Sequence, residues 1–153
     1  MGTNELSMRL WHERELLTAL LFKLDVQRML LASGQDRWID IASREIDEVS
    51  ARLRDTGVAC VVEAVGVAHE WGAPEDATLR ELIGYAPDDA WREVFTGHLD
   101  ALTGLTAQIA QVRDANTAQL RAVLQRTEEA LGDLQGATDA RLDEAEVEAE
   151  VRA

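Results

Sequence analysis

The chain has 153 residues, room for one ordinary domain, and its 29 acidic and 15 basic side chains give a formal charge of -14. Such a field repels phosphate backbones and anionic bilayers, so neither nucleic-acid binding nor membrane insertion is expected. Hydrophobic residues at 46%, two prolines and one cysteine exclude a disordered acidic chain, a proline-rich linker and a disulfide scaffold.

A first helix is predicted from Asn4, whose side chain suits the exposed N–H groups of a first turn. Leu6, Leu10, Leu17, Leu20, Leu21, Leu24 and Leu31 share one face of a 3.6-residue period. Leu16, Phe22, Met29 and Leu30 widen that face, so both flanks should be covered. Ser33-Gly34 ends the helix, because glycine accepts the left-handed conformation after a last turn. Lys23, Asp25, Gln27 and Arg28 make the run from Leu16 to Leu31 too polar for a membrane span or signal core, and a cytoplasmic protein is expected.

The second helix should start at Gln35 or Asp36. It presents Trp38, Ala42, Ile46, Val49 and Leu53 to the core, with Asp40, Arg44, Asp47, Glu48 and Arg52 opposite. Its continuation from Val58, VACVVEAVGV, sets residue preference against pattern. Valine favours strands, yet no second strand-like run exists to pair with, and Leu53, Cys60, Ala64 and Val67 keep helical spacing. We read it as helix, with room for an irregularity at Gly57 and a stop at Trp71-Gly72-Ala73-Pro74. Cys60 inside it is expected to be a buried, inert thiol.

A short helix, PEDATLRELIG, is predicted next, with Pro74 in its first turn. After the break at residues 85–89, Pro87 and Asp88 restart the chain as a long amphipathic helix. Its apolar series runs through Trp91, Phe95, Leu99, Leu102, Leu105, Ile109, Val112, Leu120, Val123, Leu124, Leu131 and Leu134, interrupted by Asn116. Residues 136–153 hold six acids, two arginines and three large aliphatics, too few for a core of their own. The expected division is therefore a helical bundle over 1–135 and an acidic extension over 136–153, either helical or mobile.

Little in this text suggests catalysis. His12-Glu13 opens like a zinc-protease HExxH, but Leu16 stands where the second histidine belongs. His69 and His98 lack ligand-spaced neighbours, and Glu13/Glu15 and Asp47/Glu48 fall on solvated faces. No phosphate-loop, dinucleotide or nucleophile-elbow motif occurs. No enzyme activity, metal or cofactor is expected. Trp11, Trp38, Trp71 and Trp91 are expected mostly in the core or at helix junctions.

The late seam has two readings. It packs into the protein's own bundle, or its distal part receives a helix from another chain. Asn116 favours the second, since a polar residue at an inward position fixes register in an interface but weakens a sealed core. A structural coiled coil, using the seam for self-association, is the alternative of a different class.

With these residues in view, the chain resembles the FlgN family of flagellar export chaperones, in its actinobacterial form. The resemblance rests on LWHERELLTALLFKLDVQRMLLASGQDRWI at 10–39, the Glu45-Ile46 and Arg52-Leu53 region, GAPEDATLRELI, APDDAW, and HLDALTGLTAQIAQVRDANTAQL at 98–120. Asn116 and Leu120 fit the family's N-x-x-x-L pattern. It implies an all-α fold, an elongated antiparallel up-down bundle with a long C-terminal amphipathic helix and no catalysis. It also implies binding to the C-terminal helices of hook-associated proteins of the FlgK and FlgL type. Those clients are kept from assembling early and delivered to the flagellar type III export gate. By resemblance the client-binding role falls on Leu102, Leu105, Ile109, Val112, Asn116, Leu120, Val123 and Leu124. A homodimer is admitted by the same seam.

Overall fold

The computed structural model describes residues 2–153. Helix accounts for 89% of the chain, and no strand occurs among the described residues. The elements are α1 (Gly2–Ala32), a 3-10 turn (Asp36–Trp38), α2 (Ile39–Trp71), α3 (Leu79–Ile83) and α4 (Asp89–Arg152). Two units are distinct, Met1–Asn116 and Thr117–Ala153.

Within the first unit, cross-helix bonds fix the directions. Thr3 meets Glu70, Arg9 meets Glu63, Lys23 meets Glu45 and Gln27 meets Ser43, so α1 and α2 run antiparallel. Ser7 meets His98 and the Leu24 carbonyl meets Asn116, so α4 there runs parallel to α1. The order is up, down, up. One core cluster joins Leu6, Leu10, Cys60, Val67, Ala68, Leu82 and Phe95 from all four helices. A second joins Leu20, Leu24, Val49 and Ile109. Small side chains on α2, among them Ala42, Cys60 and Ala68, are buried and let α1 come close.

The breaks have local causes. Gly34 and Gly72 adopt φ of 70° and 71°. The next amides, of Gln35 and Ala73, donate back to Leu30 and Ala68, which closes each helix end. α4 starts where the Asp88 carboxylate accepts from the Trp91 amide at 2.8 Å.

Several expectations are corrected. α1 begins at Gly2, with Asn4 exposed within the helix. Of the residues widening its face, Leu16 is buried, whereas Phe22 and Met29 are 63% and 57% exposed, because partners cover one side only. Gln35 and Asp36 lead into a 3-10 turn, and α2 starts at Ile39. Residues 58–67 are helical, with no break at Gly57. Pro74 and its neighbours form a turn rather than helix. Thr78 takes the cap of a shorter α3, accepting from the Glu81 amide while the Glu81 carboxylate accepts from the Thr78 amide. Trp71 and Trp91 are half-buried against the first cluster. Trp11 and Trp38 are exposed, each beneath a guanidinium, Arg14 and Arg37 respectively. The extension from residue 136 is helical as far as Arg152.

Candidate functional site

Five of the eight residues expected to meet a client lie in the first unit. Leu102 packs on the first cluster and Val112 on the second. Leu105 is half-buried and lines a shallow depression with Trp11 and Ala101. Ile109 and Asn116 are buried, which corrects the picture of an open seam here. In the second unit Leu120 and Val123 are half-buried and Leu124 is 59% exposed. Beyond Val123 every residue is exposed, including Leu131 and Leu134. Leu120, Leu124, Leu131 and Leu134, with Thr127 on the missing rung, keep a heptad seam that faces solvent at its distal rungs.

Asn116 has its partners inside its own chain, not in an interface. Its Nδ2 donates to the Leu24 carbonyl at 2.8 Å and to Gln27 Oε1 at 3.0 Å. Gln27 Nε2 donates in turn to Ser43 Oγ at 3.2 Å. One polar chain thus ties α4, α1 and α2 together and fixes their register. Asn116 Oδ1 is buried without a partner. Gln27 could have been read from the sequence as a polar rung after Leu20 and Leu24.

His98 is the other buried polar residue that sequence reading treated as isolated. It occupies the rung between Phe95 and Leu102 and is 1% exposed. Its Nε2 lies 3.0 Å from Ser7 Oγ, and its Nδ1 lies 3.3 Å from Arg14 Nη1. A guanidinium can only donate, so Nδ1 accepts and the assigned tautomer donates from Nε2 to the serine. This leaves no lone pair to take the serine proton, and the pair is structural rather than nucleophilic.

Burial, then the Arg14 charge, lowers the His98 pKa below its ordinary 6.5. Below that pH the unfolded chain takes a proton that the folded chain resists, so this contribution to stability is present above 6.5 and lost as pH falls. Urea unfolding at about pH 7.5 and about pH 5.5 checks this. The parent should lose more stability on acidification than H98Q, and equal losses would contradict the assignment.

Cys60 is buried, and burial first and the Glu13 carboxylate second push its thiol up to about 12. It is a packing residue at neutral pH. Among the described residues no three His, Cys, Asp or Glu side chains are grouped to hold a metal ion. No helix there is long and apolar enough to cross a membrane. What the molecule offers is apolar surface on helices, suited to binding another polypeptide.

No curated protein and no solved structure matches the chain. The family model described as FlgN protein matches residues 1–142, nearly the whole length, through the bundle and well into the open part of α4. The chain therefore belongs to the FlgN family of flagellar export chaperones.

Proposed function

We propose that the protein binds the C-terminal helices of hook-associated subunits of the FlgK and FlgL type in the cytoplasm. It holds them unassembled and passes them to the flagellar export gate without catalysis or ATP. The observation that carries this reading is the seam of Leu120, Leu124, Leu131 and Leu134, which is uncovered at Leu124 and beyond. Within the first unit, Leu102, Leu105 and Val112 are half-buried and Ile109 and Asn116 are enclosed, so the reading rests on the seam of the second unit.

Covering roughly 500 Å² of apolar surface contributes about 12 kcal/mol gross at about 25 cal/mol per Å². Ordering and association costs remove much of that, which leaves binding reversible and suited to delivery. The strong negative charge keeps an empty apolar seam soluble.

Co-expression with hook-associated subunits, followed by co-purification, tests the reading. L124E/L131E/L134E changes only exposed positions, so it should leave folding intact and abolish capture. Undiminished capture would sink the assignment. The heptad spacing also supports self-association as a structural coiled coil. A tight oligomer in sedimentation that ignores client helices would favour that reading instead.

A further inference from the structure

The first unit carries an apolar surface of its own. Leu6, Leu10 and Cys60 floor an open groove of about 340 Å³ between α1, α2 and the segment entering α3. Val61 and Val65 form one wall, and Glu75 and Asp76 form part of the lip. The wall continues as an exposed stripe on α2. Val58, Val61 and Val62 are 64–66% exposed, and with Val65 they follow i, i+3, i+4, i+7 spacing. Valine is a poor choice for a water-facing helix position, since its branched side chain loses rotamer freedom there without packing to offset the loss. The stripe is therefore costly to the isolated fold.

Charge narrows what covers it. Glu75 and Asp76 are exposed and make no ion pair among the described residues, whereas Arg9 on the neighbouring helix is engaged by Glu63 at 3.2 Å. The lip is thus left negative on a chain of net -14. A second copy would bring the same carboxylates and be repelled.

We propose that this groove docks an amphipathic helix of a cationic partner protein. That helix seats one bulky apolar side chain in the groove and sets lysine or arginine against Glu75 and Asp76. The valine spacing is that of one helix laid along another, and the groove volume accommodates a leucine or aromatic side chain. The proposal rests on neither the α4 seam nor the client reading.

Fluorescence anisotropy on the full chain tests it. The probe is a labelled synthetic helix with leucine and tryptophan at i, i+3, i+4, i+7 and flanking lysines. Two control peptides carry glutamate for lysine, or glutamine for the apolar residues. The lysine probe should bind saturably, and each control about tenfold more weakly. V61Q/V62Q should lose about tenfold in affinity with an unchanged or higher melting temperature, and E75K/D76K about threefold. L124E/L131E/L134E should bind as the parent does. The proposal is overturned if the lysine probe fails to saturate, or if V61Q/V62Q binds it unchanged. It is equally overturned if binding is lost in the α4 variant, or if sedimentation finds a dimer that V61Q/V62Q dissolves.

Discussion

Phe95→Ala is expected to cost about 4 kcal/mol of stability, the largest loss from any single side chain in the chain. Phe95 is fully buried where all four helices meet. Its ring packs edge-on to Trp71 at 5.6 Å and tilted against Trp91 and His98 at 5.7 and 6.0 Å. Alanine removes those contacts and leaves a hole that three stiff rings cannot collapse into. The melting temperature should fall by about 15 °C, whereas Phe22→Ala, at an exposed site, should move stability by less than about 0.5 kcal/mol. A Phe95→Ala protein melting within a few degrees of the parent would show that the four helices are not locked at this point.

The second large effect concerns the polar chain through Asn116. Asn116→Leu should cost about 2–3 kcal/mol, because it strands Gln27 Oε1 in a buried site. Gln27→Leu should cost about 1–2 kcal/mol, because it removes one of the two acceptors of Asn116 Nδ2 and leaves only the Leu24 carbonyl, while Oδ1 already lacks a partner. Replacing both removes every stranded atom of the pair except at Ser43, which is only half-buried. The double variant should therefore lie within about 1 kcal/mol of the parent, a coupling read directly from urea midpoints. Additive losses would mean the two amides act separately and do not set register together.

Much of the architecture was legible, and the limits have physical reasons. The leucine spacing of α1 and the long period of α4 announced helices, since periodicity is a property of one helix alone. Burial needs a second helix, so the same period in α4 could not tell Ile109, which is enclosed, from Leu131, which is open. The valine run on α2 was read correctly as helix by spacing, but not as surface. Pro74 was a stronger written signal than Thr78, yet the threonine forms the cap because Glu81 stands three residues on to complete the box. His98 and Gln27 were missed because a polar residue on an apolar rung is informative only when its partner, Ser7 or Asn116, is known. Asn116 itself was flagged as a register device, and its partners turned out to be α1 and α2 of the same chain.

Reception of a client's terminal helix by the open seam of α4 is open to direct test. Hydrogen exchange on the full chain, alone and with a synthetic peptide of a hook-associated subunit's C-terminal helix, tests it most directly. Peptide binding should slow exchange across residues 117–135 and leave the buried amides of α1 and α2 unchanged. Slowing confined to α1 and α2, with residues 117–135 exchanging as in the free chain, would contradict it.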